Sequence, residues 1–273
     1  MSPDSCPAGT AAPRPVSRGR LVVVLVGAGA LALAAGRADA SANVLWSAGH
    51  ETGDISEWLL NGGGPEVTDS GVATSQPGIA HSGRYALRLS ITGADGTAGG
   101  QAIRMFRWRL VDGSLLPTAA YYSVWVYFPV RATPRTFWNV IQWKTKLTSG
   151  RVVPVFVLNV GNRPRSGDMY FYLYEARKGR GIASAAVDLP VRRWVQIETY
   201  YRWSTVGGGR VTVFQDGRRI IDRVGLRTQF ATRDINARQW SVNNYTDDIR
   251  PSTLSLLVDD AAITRRRLGP AGR

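Results

Sequence analysis

Alternation of apolar and polar residues in short runs is the feature of this sequence that most constrains its fold. Residues Tyr85–Ile91 alternate cleanly, and they are bounded by Ser82 and Gly83 on one side and by Gly93 on the other. A period of two places successive side chains on opposite faces of an extended chain, which predicts a half-buried strand. The 30 Gly and 14 Pro that interrupt such runs favour strands joined by turns over a bundle of helices.

The same pattern recurs along most of the chain. A hairpin is predicted where residues 210–215 meet 218–222, because Asp216-Gly217 is typical of type I′ turns. The only helical signal is a turn near 233–237. About ten strands without a long helix predict one all-β sandwich or jelly roll at residues 41–264, followed by a basic tail at 265–273. The remaining predicted strands are 44–46, 120–128, 137–147, 152–160, 169–174, 194–203 and 253–263.

Residues 1–40 have the pattern of a secretory signal peptide. Arg14, Arg18 and Arg20 precede an apolar run at 21–35, and Ala38-Asp39-Ala40 forms an Ala-x-Ala site that predicts cleavage after Ala40. The apolar run has about 15 residues, fewer than the ~20 that a spanning helix needs. We therefore expect a secreted protein, extracellular or periplasmic, without stable membrane insertion after cleavage. An uncleaved anchor is the alternative.

Charge and rare residue types narrow the classes of function. The chain has 34 Lys and Arg against 20 Asp and Glu, a net charge of +14, which suggests an anionic partner. Nucleic acid would explain this charge, but the signal peptide and the absence of a recognisable motif argue against it. Only two histidines, His50 and His81, are present. This small number excludes a His-rich metal site and a mechanism that needs several imidazoles.

Several stretches resemble the concanavalin-like (laminin-G-like) jelly rolls of secreted bacterial carbohydrate-active proteins. They are residues 44–58, 81–88, 194–201 with the Asp216-Gly217 hairpin, and 257–260. Within that superfamily, residues 121–129 followed by 138–144 are similar to the polysaccharide lyases related to heparin lyase I. The resemblance implies a sandwich of two antiparallel sheets that cleaves an acidic, uronic-acid polysaccharide by β-elimination.

The resemblance also implies roles for individual residues. β-Elimination requires a group that neutralises the C5 carboxylate, a base for the C5 proton and an acid for the leaving oxygen. Gln142 would contact the carboxylate and Arg104 would pair with it, while Tyr245 would be the base or acid and His81 is the only plausible imidazole. Substrate-binding positions would be Lys144, Asn139, Arg107 and Trp143.

Two departures from the lyase pattern affect this assignment. Lyases of this kind commonly carry Gln-x-His on the central strand, whereas this chain has Gln142-Trp143-Lys144. Lys144 is predicted to share a face with Gln142 and to bind an anionic substrate. The usual Arg-x-Glu is replaced by Arg104-Met105-Phe106-Arg107-Trp108-Arg109. There, the alternation predicts a basic face with Arg107 and Arg109 and a packing face with Phe106 and Trp108.

Two other functions stay open at this point. A non-catalytic carbohydrate-binding or adhesion domain of the same fold is the main alternative, and the missing Gln-x-His is its best argument. A retaining glycosidase needs two carboxylates about 5–5.5 Å apart. The acidic motif of jelly-roll hydrolases is absent, and Glu175 and Glu198 are isolated acids on different predicted strands.

Acidic residues near the two ends of the predicted domain suggest a structural calcium ion. Asp259 and Asp260 lie on the last strand, and Glu51 and Asp54 lie near the first. First and last strands of such jelly rolls often lie side by side, and carboxylates suit a hard cation that takes six to eight oxygen ligands. The expected ligands are Glu51, Asp54 and Asp259. The alternative is a polar strand edge with aspartates that cap turns.

Overall fold

The computed structural model describes residues 43–231 and 238–270 of the chain. Within these ranges the protein is built of strands and one four-residue helix, α1, at Ser56–Leu59. The strands are β1 Val44–Ala48, β2 Gly63–Thr68, β3 Val72–Pro77, β4 Tyr85–Ile91, β5 Gln101–Arg107, β6 Ala119–Tyr127, β7 Thr133–Pro134, β8 Asn139–Lys146, β9 Val152–Asn162, β10 Met169–Glu175, β11 Arg180–Asp188, β12 Trp194–Arg202, β13 Gly209–Gln215, β14 Arg218–Leu226, β15 Arg238–Thr246, β16 Ile249–Arg250 and β17 Leu254–Thr264.

Two large antiparallel sheets contain most of these strands. The first has eight strands in the order β14-β13-β12-β6-β17-β4-β3, with β1 also paired to β17. The second has seven strands in the order β11-β10-β9-β8-β15-β5-β2. Hairpins of consecutive strands form one end of each sheet, whereas pairs such as β6-β17 and β8-β15 join strands far apart in sequence, which gives the crossed connections of a jelly-roll sandwich. The predicted fold class, an all-β jelly-roll sandwich of two antiparallel sheets, is confirmed.

Tryptophan and tyrosine side chains fill much of the space between the sheets. Trp46, Trp58 and Trp240 form one cluster, in which Trp58 stacks on Trp240 at 5.9 Å between ring centroids. Trp143 from the seven-stranded sheet stacks on Tyr201 from the eight-stranded sheet at 4.8 Å. These rings are buried. Since aromatic side chains bury large areas, their contacts across the two layers contribute much of the apolar stabilisation.

A polar side chain also crosses this apolar interior. Asn244 on β15 accepts a hydrogen bond from the indole N–H of Trp138, at 2.9 Å. Its Nδ2 donates to the carbonyls of Leu89 and Leu254, at 3.0 and 3.1 Å, on strands of the other sheet. Both polar ends of the Asn244 amide are therefore satisfied in a site without solvent.

Local details agree with most of the predicted elements. Asp216 and Gly217 both have positive φ, 48° and 78°, as a type I′ turn requires. Helix α1 was not predicted, and it places Trp58 in the core. The turn predicted at 233–237 and the predicted signal peptide at 1–40 lie outside the described residues. In the part of the chain that is described, no helix is long and apolar enough to cross a bilayer.

Candidate functional site

Strand β8 presents its polar side chains on the outer face of the seven-stranded sheet. Gln142 and Lys144 point outward, whereas Trp143 between them points into the core, as the period of two requires. Gln142 is flanked by Ser241 on β15 and by Val157 on β9. The predicted common face of Gln142 and Lys144 is present in the structure.

A cleft of about 360 Å³ lies over the centre of this outer face. Asn139, Gln142 and Asn159 contribute amides to its lining. Its aromatic residues come from strands β10 and β15 and from the segment before β8, and they are Tyr172, Tyr174, Tyr245 and Phe137. Amides beside aromatic rings suit a ligand that combines hydroxyl groups with apolar C–H surfaces.

Several polar atoms around the cleft have no hydrogen-bond partner among the described residues. Asn243 donates from Nδ2 to Oδ1 of Asn139 at 2.9 Å, but its own Oδ1 is buried and unpaired. The same holds for Gln142 Oε1, Ser241 Oγ and Asn159 Oδ1. Leaving a buried polar group unsatisfied costs about 1–3 kcal/mol. Of these residues, Gln142 and Asn159 line the cleft itself, so a ligand with several hydroxyl groups would lie beside two of the unpaired oxygens.

The cations of this face share one carboxylate. Glu66 on β2 accepts from Arg104 Nη1 at 3.0 Å and from Lys144 Nζ at 3.2 Å. Burial lowers the pKa of Lys144, the charge of Glu66 opposes this shift, and the nearby charge of Arg104 adds to it. Two cations against one carboxylate leave this group with a net positive charge, which suits an anionic ligand.

Tyr245 stands between the amides and the cations. The guanidinium carbon of Arg104 lies 4.2 Å from the centroid of the Tyr245 ring, and Phe137 packs edge-on at 4.9 Å. A Cβ at Gly100 would come within 2.7 Å of the Tyr245 ring, so only glycine fits beside it. The ring is thus fixed from three sides, while its hydroxyl makes no hydrogen bond to any described residue.

The structure does not bring all the predicted site residues together. His81 precedes β4 in the eight-stranded sheet, with Nδ1 at 2.7 Å from Asp260 and its ring stacked on Trp125 at 3.6 Å. Trp143 is part of the core, where it stacks on Tyr201. Neither side chain lines the cleft.

Arg107 is a correction to the predicted basic face. It is fully buried and donates to the carbonyls of Trp58, Leu60 and Arg109. Pairing of β5 with β15 and β2 places Phe106 on the outer face and Arg107 on the inner face, the reverse of the predicted orientation. A substrate on the sheet surface cannot reach Arg107.

The three predicted calcium ligands each cap a turn. Glu51 accepts from the backbone N–H groups of residues 84 and 85, at 2.9 and 3.0 Å. Asp54 accepts from Ser56 and Thr52, and these hydrogen bonds lower the pKa of its exposed carboxyl. Asp259 accepts from the N–H groups of residues 81 and 82. These contacts match the turn-capping alternative, and calcium binding stays a prediction.

Sequence reasoning missed Glu66, Asn159, Asn243 and Phe137. Asn159 carried a usable signal, because it is the one polar residue in the apolar stretch Val155 to Val160. Glu66 had none, since it follows Gly-Gly-Pro in a stretch with little strand propensity.

Comparison with known proteins bears on the fold. No family model matches the chain, and neither does any curated protein. Among solved structures, it is similar to a cellulose-induced protein, Cip1, at 15% identity over 83% of this chain and 99% of that one, with a TM-score of 0.56. An endo-β-1,4-glucuronan lyase from the fungus Trichoderma reesei aligns at 13% identity over 74% of this chain and 90% of that one, with a TM-score of 0.55.

A third similar structure is a carbohydrate esterase from a Shiga toxin-encoding bacteriophage. It has 10% identity, covers 82% of this chain and 99% of that chain, and gives a TM-score of 0.50. The structural neighbours thus include a polysaccharide lyase, and at these identities the likeness establishes the fold alone.

Proposed function

We propose that this protein is a polysaccharide lyase that cleaves an acidic, uronic-acid polysaccharide by β-elimination. The observation that carries the proposal is the convergence of Gln142, Asn139, Tyr245, Arg104 and Lys144 on one face of the seven-stranded sheet. The net charge of +14 supports an anionic substrate.

In the proposed reaction, amides and cations act on the substrate carboxylate. Gln142 and Asn139 hold the uronate, and the positive charge of Arg104 and Lys144 stabilises the carboxylate as the C5 proton is removed. The C5–H electron pair forms the C4–C5 double bond, and the bond from C4 to the leaving oxygen breaks. The leaving oxygen takes a proton, so the products are a new chain end and an unsaturated uronate.

Tyr245 is the proposed proton-transfer group. Its free hydroxyl beside the amides can take the C5 proton or give one to the leaving oxygen. Lys144 is the second candidate, because burial lowers its pKa and so increases the fraction of neutral amine at a given pH. His81 is not assigned a role, since it lies by the other sheet.

The test is a panel of glucuronan, alginate, heparin, chondroitin and pectin, with ultraviolet absorbance reporting unsaturated uronate. We expect a rise with one polymer, a loss of at least about a hundredfold in Tyr245→Phe, and a similar loss in Gln142→Ala. Tyr127→Phe is the matched control, because it removes a hydroxyl from the outer face of the other sheet. Equal activity in Tyr245→Phe and Tyr127→Phe would contradict the assignment.

A non-catalytic carbohydrate-binding module is the second candidate. It is favoured by Glu66, which already occupies both cations that would neutralise a substrate carboxylate. No rise in ultraviolet absorbance with any polymer, together with retention on an acidic-glycan column, would support the binding module over the lyase.

Secretion belongs to the same proposal. Export with removal of residues 1–40 would place the protein where such polymers occur. Expression of the full chain with N-terminal sequencing of the protein from the periplasm or medium tests it, and a cell-bound product with an intact N-terminus would contradict it.

A further inference from the structure

The outer face of the eight-stranded sheet has a second depression, distant in the fold from the cleft described above. Tyr121 on β6 and Tyr200 on β12 are direct cross-strand partners, and Thr212 on β13 is the next residue in the same row. The two tyrosine rings lie 5.1 Å apart between centroids. A volume of about 800 Å³ opens over this row. The tyrosines form an aromatic floor beside a polar side chain.

Arginine side chains surround this floor. Arg202 and Arg210 lie directly opposite each other on β12 and β13. Like charges at directly opposite positions destabilise an antiparallel pair. The arginines that line the depression are Arg202, Arg210, Arg219 and Arg267. Such a concentration of one charge on a strand pair is unfavourable for folding and favourable for an anionic ligand.

Two carboxylates offset only part of this charge. Asp222 pairs with Arg210 at 2.8 Å and with Arg219 at 3.4 Å. Glu198 is buried and accepts from Arg267 at 2.8 Å and from the backbone N–H of residue 268 at 2.7 Å. Among the described residues, these four guanidinium groups and two carboxylates leave a net charge of +2 around the depression.

Arg202 is the cation that these carboxylates do not reach. Its side chain is exposed and has no ion pair or hydrogen bond with any described residue. A guanidinium group forms two parallel hydrogen bonds with a carboxylate, which fixes the orientation of the bound group as well as its charge. Arg202 is therefore placed to bind a carboxylate whose carrier rests on Tyr200 and Tyr121.

We propose that this depression is a second glycan-binding site, in which Arg202 binds the carboxylate of an acidic sugar and the sugar ring packs on Tyr200 and Tyr121. The aromatic rings offer an apolar surface to the C–H groups of the sugar, and the phenolic hydroxyls remain available to its hydroxyls. The class of glycan is taken from the proposed function, but the site uses no residue of the cleft.

A second site on the opposite sheet would act through multivalency. A polymer segment held on one face raises the effective concentration of the remaining chain near the other face. The apparent affinity for long polymers would then exceed the affinity for short oligosaccharides, with no change in the cleft.

The test measures binding of a glucuronate oligosaccharide by calorimetry, with a neutral glucose oligosaccharide of equal length as the comparison. The protein carries Gln142→Ala and Tyr245→Phe, so that contacts in the cleft are weakened and the ligand stays intact. We expect residual binding of the acidic oligosaccharide, weakened about tenfold by adding Arg202→Gln and about tenfold by adding Tyr200→Ala. Arg165→Gln, an exposed arginine in the β9–β10 connection, is the matched control and should leave the affinity unchanged.

Removing a half-buried tyrosine could instead disturb the sheet. Tyr200→Leu keeps apolar volume without a ring, and thermal unfolding of each variant checks the fold. A native melting temperature with weakened binding in Tyr200→Leu and in Arg202→Gln supports the site. Unchanged affinity in both variants would overturn it, whatever the lyase panel shows, because that panel depends on residues of the other sheet.

A purely electrostatic surface gives a different pattern. Its affinity for the oligosaccharide would fall in Arg202→Gln and stay the same when the Tyr200 ring is removed. Duplex DNA of the same charge would bind equally well. That pattern would overturn the glycan assignment. The glycan assignment is supported if a tenfold excess of DNA phosphate leaves binding of the glucuronate oligosaccharide unaltered and if loss of the Tyr200 ring weakens that binding.

Discussion

The polar side chains on the outer faces of the two sheets differ in how they are paired. On the seven-stranded sheet, the amides of Gln142, Asn159 and Asn243 keep unpaired oxygens that are shielded from solvent. On the eight-stranded sheet, Asp222 and Glu198 pair with arginines, whereas Arg202 is exposed and pairs with no described residue. The first face is organised for hydrogen bonds to a ligand and the second for a charge. The same alternation of side chains along the strands thus produces two outer faces with different chemistry.

The largest loss of stability is expected at Arg107, which points into the core. Arg107→Ala should destabilise the protein by about 3–5 kcal/mol, because it leaves buried carbonyls without donors and creates a cavity beside Trp46. Arg104→Ala, on the outer face of the same strand, should cost less than about 2 kcal/mol. Urea unfolding of both variants makes the comparison, and equal losses would contradict the orientation of β5.

The next effect concerns the position of Tyr245. Gly100→Ala places a methyl group within 2.7 Å of the ring and should displace it. We expect activity to fall by roughly ten- to a hundredfold, since small displacements of a reacting group have effects of this size. Gly161→Ala is the control, because its nearest contacts on Tyr170 are at 3.4 Å. Steady-state rates on the active polymer give the result, and equal rates in the two variants would contradict the role of Gly100.

A change in pH dependence is expected from Glu66→Gln. The carboxylate of Glu66 raises the pKa of Lys144 against the effect of burial, so its removal lowers that pKa further. Binding of an acidic oligosaccharide that needs the ammonium form is lost as pH rises through this pKa, and in Glu66→Gln the loss should begin at lower pH. Near neutral pH the variant should bind a few-fold more tightly, by about 1 kcal/mol, because both cations are released. Affinity measured across pH 6 to about 10 tests this; an unchanged midpoint would contradict it.

The smallest effect is expected at a partly exposed ion pair. Asp222→Asn removes the partner of Arg210 and Arg219 on the eight-stranded sheet. Because the side chains of Arg210 and Asp222 stay 41% and 27% exposed, solvent screens this pair and the loss of stability should be about 1 kcal/mol. Glu198→Gln, in which the carboxylate is buried, should cost more. Chemical unfolding of the two variants ranks them, and the reverse order would contradict the contrast between paired surface and buried charges.

Sequence alone was sufficient for the parts of the site that depend on one strand. Gln142 and Lys144 share a face because any strand places residues i and i+2 together, whatever sheet it joins. The fold class followed in the same way from the alternation and from Asp216-Gly217.

The remaining parts depend on pairing between strands far apart in sequence. Strand β5 has apolar residues in both parities, Ile103 and Met105 against Ala102 and Phe106, so its inward face is set by β15 and β2 rather than by its own pattern. The interpretation of Arg107 was wrong for this reason. Glu66 reaches the site only because β2 pairs with β5 at the edge of the sheet.

Asn244 has a mechanical consequence for the whole sandwich. Apolar burial has little directional preference, whereas the hydrogen bonds from Asn244 to Leu89 and Leu254 require particular lengths and directions. Asn244 therefore locks the two layers against shear at one point. Asn244 lies between Asn243 and Tyr245 on β15. The hydrogen bonds of Asn244 therefore fix the position of the seven-stranded sheet next to the Asn243 amide and the Tyr245 phenol of the candidate site.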